Sequence, residues 1–255
     1  MVHFVGAGPG AVDLITVRGM KLLQKTDVII YAGSLVNPEL LDYAKEKCSI
    51  YDSSRMTLEE VISVMEAAHR EKKDIVRLHT GDPGIFGAVR EQMDELDRLG
   101  IEYESCPGVS SIFGAAASLN MEYTLPDVSQ SVIITRMAGR TPVPERESIQ
   151  AFASHGATMV LFLSVGMAEQ VRQELLTGGY SKDTPAAVVY KATWADEKKV
   201  ICTIDTLPRA VKENHIAKTA LIIVGSVVTH TSYRRSDLYN PNFATEYREA
   251  VKKQL

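Results

Sequence analysis

The sequence predicts two α/β domains, and three observations predict them. Short β-branched runs bounded by Gly, Asp or Pro recur along the chain, and in the first half amphipathic segments of helical period separate them. Residues 120–130 carry neither period, and a second set of apolar runs begins after them. The 255 residues suffice for two modest domains, each with its own core.

Val2–Val5 reads as the first buried strand and ends in the cluster Gly6-Ala7-Gly8-Pro9-Gly10. A helical pattern starts only after Asp13, and Val28–Tyr31 forms the second strand. Thr57 and Glu60 make a capping box, after which Val61, Ile62, Met65 and Ala68 continue one apolar face begun by Leu58. Asp74–His79 is the next strand. A helix over 88–99 stops at Gly100 in the C′ position. Ile101–Ser105 is a strand that leads through Pro107-Gly108 into a small-residue helix around 110–119. Strands alternating with helices imply a parallel sheet covered on its faces. In the second half, strands are expected at Val132–Thr135, Thr158–Leu163, Ala186–Tyr190, Val200–Thr203 and Ala220–Val224, with helices at 145–154, 167–177 and 206–214. The expected division is a first domain over 1–119, a linker over 120–130 and a second domain over 131–230. Residues 231–255 are then a polar tail, or carry a terminal helix at 244–253.

Composition narrows the class. Hydrophobic residues are 45% and charged residues 24%, as in a soluble globular protein. The net charge is 28 − 32 = −4, so no nucleic-acid partner is expected and an anionic ligand needs a local basic cluster. Cys48, Cys106 and Cys202 form no CxxC, and the histidines at 3, 69, 79, 155, 215 and 230 show no HxH or HxxxH spacing, so no metal site is indicated. The opening residues lack a basic n-region, and the longest mostly apolar run, Ala220–Val228, falls short of the ~20 residues that span a bilayer. A cytoplasmic protein without a membrane partner is expected.

Three loops follow strands and carry the candidate chemistry. Gly6-x-Gly8-x-x-Ala11 admits a dinucleotide-loop reading. Against it stand Pro9, the late start of the helix, and the absence of a carboxylate after Tyr31-Ala32-Gly33-Ser34. The second loop, Thr80-Gly81-Asp82-Pro83-Gly84-Ile85-Phe86-Gly87, exposes peptide groups where open α/β sheets bind ligands. A plain turn with Asp82 as a helix cap is the alternative. In the third, Cys106-Pro107-Gly108-Val109-Ser110-Ser111, the serines read as caps of the following helix. His79, at a strand end, reads as packed or hydrogen-bonded. Arg136, Arg140 and Arg146 lie among Gly and Pro, either as a solvated loop or as a clamp for carboxylates.

Val5-Gly6-Ala7-Gly8-Pro9-Gly10, Gly81-Asp82-Pro83-x-x-x-Gly87, Pro107-Gly108-Val109-Ser110-Ser111 and Ala220-Leu221-Ile222-Ile223-Val224-Gly225, in this order, resemble the tetrapyrrole methyltransferases of corrin and sirohaem synthesis. The resemblance runs from residue 2 to about 230. Tyr31–Glu39, Ser54–Glu60 and Leu125–Gln130 resemble the precorrin-4 C11-methyltransferase branch. The resemblance implies two α/β domains without a Rossmann methyltransferase fold, and S-adenosyl-L-methionine held bent in an interdomain cleft and released as S-adenosyl-L-homocysteine. It implies methyl transfer to C11 of precorrin-4 or cobalt-precorrin-4, giving the matching precorrin-5A in cobalamin biosynthesis, by a homodimer. Transfer is expected with inversion and without a dedicated side-chain base or nucleophile. Methylation of another ring carbon, an NAD(P)-dependent dehydrogenase and a corrinoid-binding module are the alternatives.

Carried over by position, the cofactor set is Pro9, Gly81, Asp82, Ile85, Ser110, Ser111, Val165, Ala192 and Ala220. Gly81 and Ile85 are expected to act through their backbones, and Asp82 toward the amino-acid or ribose end. Ser110 and Ser111 stand where sirohaem-branch enzymes have Thr-Ala, Val165 where they have Met, and Ala192 where they have Gly. Gly33 and Ser34 replace an Asp-Arg pair on the substrate side, which argues against uroporphyrinogen. Arg55, Arg136 and Arg140 are the cations expected to meet the macrocycle's carboxylates.

Overall fold

A fully parallel sheet underlies the first half of the chain. In the computed structural model, which describes residues 1–229 and 232–251, its elements are β1 (Val2–Gly6), α1 (Val17–Lys25), β2 (Val28–Tyr31), β3 (Ser49–Asp52), α2 (Leu58–Arg70), β4 (Ile75–His79), α3 (Arg90–Leu99), β5 (Tyr103–Cys106) and α4 (Ser111–Leu119). The strand order is β3-β2-β4-β1-β5, and all four pairings of neighbouring strands are parallel. All five carboxyl ends therefore lie along one edge. β4 alternates between two apolar layers: Ile75 packs with Phe4, Ile62, Met65 and Leu96, while Val76 and Leu78 pack with Leu23, Ile29 and Leu40. The capping box of α2 is closed, with Thr57 Oγ1 accepting from Glu60 N (3.3 Å) and Glu60 Oε2 from Thr57 N (2.7 Å). Gly100 ends α3 at φ 67°. β3 was not expected; it is an edge strand whose Ser49, Ile50 and Tyr51 are exposed, so no apolar run marks it.

The second half forms a mixed sheet. Its elements are β6 (Val132–Arg136), α5 (Ile149–Ala153), β7 (Thr158–Phe162), α6 (Ala168–Thr177), β8 (Pro185–Tyr190), β9 (Lys198–Thr203), α7 (Leu207–Glu213) and β10 (Ala220–Val224). The order is β6-β7-β10-β8-β9, with β6 parallel to β7 and β10 antiparallel to both of its neighbours. The expected helix at 145–154 is a 3-10 turn at Glu145–Glu147 followed by α5, because Ser148 Oγ accepts from Ala151 N (3.1 Å) and starts the helix anew. Residues 244–251 hold turns and a Thr245–Arg248 bridge instead of the expected terminal helix; 252 and 253 lie outside the described residues, as does His230. Arg248 donates to the Leu238 and Asn240 carbonyls and so fastens this segment in a non-helical path.

The chain divides into one unit of Met1–Ser118 with Lys191–Lys198 and another of Leu119–Tyr190 with Lys199–Leu255. The segment joining β8 to β9 thus belongs with the first sheet, although the sequence placed all of 131–230 in the second domain. Residues 120–130 are packed rather than free: Tyr123 O accepts from Thr158 Oγ1 (3.0 Å), and Ser129 Oγ from Thr158 N (2.9 Å). Among the described residues no helix is long and apolar enough to cross a membrane.

Candidate functional site

β4, β1 and β5 are neighbours, so the loops that follow them meet at the carboxyl edge. Ala7 N donates to His79 O (2.7 Å), and Gly8 and Gly81 exchange both backbone hydrogen bonds, at 3.2 and 2.8 Å. A Cβ on Gly108 would sit 2.3 Å from Gly81 O and 2.6 Å from Gly6 Cα. Three backbones touch here, and only glycine lets them. Gly8 (φ 82°) and Gly81 (φ 60°) also take left-handed conformations that favour glycine.

Asp82 stitches the edge together. Its Oδ1 accepts from Gly84 N (2.8 Å) and its Oδ2 from Gly108 N (2.9 Å), so the carboxylate joins the second loop to the third. It caps no helix. Gly81 likewise spends its N–H on Gly8, and its carbonyl accepts from Gly8 N, so of its backbone only the carbonyl's second lone pair remains for a ligand. The groups left over are different ones. The Ile85 carbonyl and the hydroxyls of Ser110 and Ser111 make no hydrogen bond among the described residues, and Ser110 instead opens α4 through its carbonyl, which accepts from Phe113 and Gly114.

The Lys191–Lys198 segment closes over the first loop. Trp194 Nε1 donates to Pro9 O (3.1 Å), Thr193 Oγ1 accepts from Ala11 N (3.0 Å), and Asn37 Nδ2 donates to Gly10 O (3.0 Å). The Pro9 ring lies against Gly114 of α4, where a Cβ would come within 2.8 Å of it. Glu197 anchors the segment by accepting from Ser118 Oγ (2.5 Å) and Thr193 N (2.6 Å). Ala192 is buried within it. Sequence reasoning did not reach Trp194, although it is the single tryptophan of the chain.

The remaining first-unit candidates share this edge. Gly33 follows β2 and donates to Asp52 Oδ1 (3.1 Å), and Ser34 beside it is exposed. Arg55 follows β3 and is exposed; Asp52, between them, is held below the usual carboxylate range first by its hydrogen bonds from Ser54 and then by those from Gly33 and the charge of Arg55. His79 is packed, as expected, buried and stacked on Phe4, but its Nε2 has no hydrogen-bond partner among the described residues. Arg77, two residues earlier, is also buried. A cation inside the strand Ile75-Val76-Arg77-Leu78-His79 was the legible signal for it.

In the second unit the antiparallel course of β10 brings its start, Ala220, to the same edge as the ends of β6, β7 and β8. Val165 is buried in the turn after β7. Ser164 Oγ accepts from Met137 N (2.7 Å) and donates to Phe162 O (2.6 Å), tying the β6 loop to β7. Arg136 turns its guanidinium onto its own loop, donating to the carbonyls of Met137, Thr141 and Pro142. Arg140 is exposed and makes no ion pair or hydrogen bond among the described residues.

Residues 1–208 match the model of the tetrapyrrole (corrin/porphyrin) methylases. The cobalt-precorrin-4 C(11)-methyltransferase of Methanocaldococcus jannaschii is 54% identical over 252 residues, covering 99% of this chain and 97% of that protein. A solved cobalamin biosynthetic enzyme, a cobalt precorrin-4 methyltransferase, superposes with a TM-score of 0.87 at 47% identity, covering 89% of this chain and 95% of that one. The uroporphyrin-III C-methyltransferase of Thermus thermophilus, solved with S-adenosylhomocysteine, gives a TM-score of 0.76 at 25% identity, covering 92% and 96%.

Proposed function

The chain belongs to the tetrapyrrole (corrin/porphyrin) methylases, and on that premise we propose that it transfers a methyl group from S-adenosylmethionine to C11 of precorrin-4 or its cobalt chelate. The observation that carries this reading is the edge where Gly6, Gly81 and Gly108 meet without side chains, leaving the Ile85 carbonyl and the Ser110 and Ser111 hydroxyls open. Carbonyl and hydroxyl oxygens suit a cationic sulfonium ligand, whereas a phosphate nest needs convergent N–H groups. When bound, S-adenosylmethionine supplies a methyl group on positively charged sulfur, an electrophile for an electron-rich ring carbon.

In this reading Ser110, Ser111 and Ile85 bind the donor, while Gly81 and Asp82 hold the loops that present them. C11 becomes quaternary, so no proton leaves carbon. The sulfur leaves as a neutral thioether, and the charge passes to the conjugated ring nitrogen, whose N–H proton goes to solvent. No dedicated side-chain base is required. The protein's part is alignment of donor and acceptor, which is worth ~7–11 kcal/mol when the reacting atoms are held in line. The exposed Arg55 and Arg140 are the proposed outer contacts for macrocycle carboxylates. The working form is proposed to be a homodimer, which light scattering checks.

The test is turnover of precorrin-4 and cobalt-precorrin-4 with 13C-methyl donor, followed by NMR of the product. Label at C11 is expected. Label at another ring carbon overturns the branch, and tight binding of NAD without binding of S-adenosylhomocysteine overturns the reading altogether.

A further inference from the structure

A pocket of about 270 Å³ opens beside the Thr80–Ala88 loop, between the carboxyl end of β4 and the first turns of α2 and α3. Arg77 and His79 both line it. They continue the row of Ile75 along β4, and His79 stacks on Phe4 at 6.1 Å, so both face the α2 and α3 layer at the point where its apolar filling ends.

Two demands are unmet in this cavity. Arg77 is 6% exposed; its Nε donates to Gln92 Oε1 (2.9 Å) and its Nη1 to Ile30 O (3.2 Å), but Nη2 makes no hydrogen bond and no carboxylate pairs with it among the described residues. Burial draws its pKa down to about 10, so it remains a cation at neutral pH. His79 is 5% exposed, and its Nε2 has no partner among the described residues. A buried cation without an anion and a buried ring nitrogen without a partner are each costly alone, and one ligand answers both. The start of α3 adds to the field. Val89 supplies no side-chain cap, and the first intrahelical bond is Met93 N to Val89 O, so the earlier N–H groups of this ten-residue helix have no partner among the described residues.

The rest of the pocket sets the kind of anion. Met56, Val61 and Ile85 make apolar walls, and the exposed Glu91 is the one carboxylate among the lining residues. One buried cation with a carboxylate at the mouth favours a singly charged group on an apolar stem over a doubly charged phosphate. We propose that this pocket receives one carboxylate arm of the macrocycle, its oxygens on Arg77 Nη2 and His79 Nε2 and its methylenes against Met56, Val61 and Ile85. The proposal rests on the methyltransferase reading above and adds to it the group that sets the register of the macrocycle on the sheet edge.

The test is the Kd of cobalt-precorrin-4, read by absorbance titration of the full chain in the presence of S-adenosylhomocysteine. Arg77→Gln should weaken binding about tenfold, as loss of a charged hydrogen bond does, with S-adenosylhomocysteine affinity unchanged. Glu91→Gln, an exposed substitution that spares the core, should tighten binding about threefold by removing the repelling charge. A wild-type protein that does not bind the macrocycle overturns both this proposal and the methyltransferase reading. Wild-type binding that neither variant moves overturns the pocket alone. If Arg77→Gln does not fold, the direction of the Glu91→Gln shift decides. Free glutarate is the control: Arg77-dependent binding of glutarate that does not compete with the macrocycle assigns the pocket to a small dicarboxylate and overturns the proposal.

Discussion

The two sheet edges that carry the candidate residues hold their loops in opposite ways. On the first, the three glycine loops meet backbone to backbone: Gly6, Gly81 and Gly108 touch, and Asp82 bonds only to peptide N–H groups. Side chains of Asn37, Thr193 and Trp194 fasten only the outer turn at Pro9–Ala11. On the second, side chains lace the loops, with Ser164 bridging Met137 and Phe162 and Arg136 gathering three carbonyls. The first edge is therefore limited by volume and the second by hydrogen-bonding capacity. A methyl group is the sharpest probe of one, and loss of a donor is the sharpest probe of the other.

Gly108→Ala should have the largest effect. Its Cβ would press on Gly81 O at 2.3 Å and on backbone at Gly6, neither of which can rotate away, so a loss of about 3 kcal/mol or more is expected in denaturant unfolding. Binding of S-adenosylhomocysteine should fall with it. Gly139→Ala on the second edge meets only the Met167 side chain, at 3.4 Å, and should cost less than about 0.5 kcal/mol. Equal costs at the two glycines would erase the contrast between the edges.

Trp194→Ala comes next. It removes the indole lying on Gly10 and the hydrogen bond to Pro9 O, for an expected loss of about 2–3 kcal/mol. A merely structural tryptophan would lower stability alone. If it positions the first loop, calorimetry should also show weaker S-adenosylhomocysteine binding in protein that is still folded.

Much of this frame was legible. β2 and β10 lie on the residues read as strands, because each is a compact β-branched run buried on both faces. The direction of β10 was not legible, since an apolar run carries no sign, and so the second sheet is mixed where alternation in the first half correctly implied parallel strands. The glycine loops were visible as a motif, but the division of labour within them was not. Gly108 lies 26 residues from Asp82, and Trp194 lies 185 from Pro9, so neither bond leaves a local pattern. The bonding of Arg136 to its own loop was not legible for a physical reason: Gly and Pro around an arginine mark a loop whose carbonyls need donors as readily as a clamp awaiting a carboxylate.

His79 offers a pH test of the first unit. Burial, and then the charge of Arg77, push its pKa down to about 3 from the model-peptide value of 6.5. The unfolded chain then takes up a proton below pH 6.5 that the folded chain refuses. Stability is full above 6.5 and declines as pH falls toward 3. By pH 5 the loss relative to pH 7 is about 2 kcal/mol. Asp27, whose carboxyl is lowered by its bond from Lys45, contributes only at more acid pH. Unfolding of wild type and His79→Gln compared between pH 5 and 7 should therefore give a slope for the first that the second lacks. Parallel curves would mean that the imidazole is solvated in the folded protein.

The smallest effects separate two arginines of one loop. Arg136→Ala strips donors from the carbonyls of Met137, Thr141 and Pro142, and since the guanidinium is only half-buried, water replaces part of what is lost. A cost of about 1 kcal/mol follows. Arg140→Ala touches no partner among the described residues, so stability should stay within about 0.5 kcal/mol. Its proposed work is on the ligand, and KM for cobalt-precorrin-4 should rise a few-fold, more at low salt than at high because an exposed ion pair is screened. A salt-independent KM for Arg140→Ala, or a KM that moves with Arg136→Ala only in step with its loss of stability, would reduce this loop to a fastening of the second sheet edge with no part in binding.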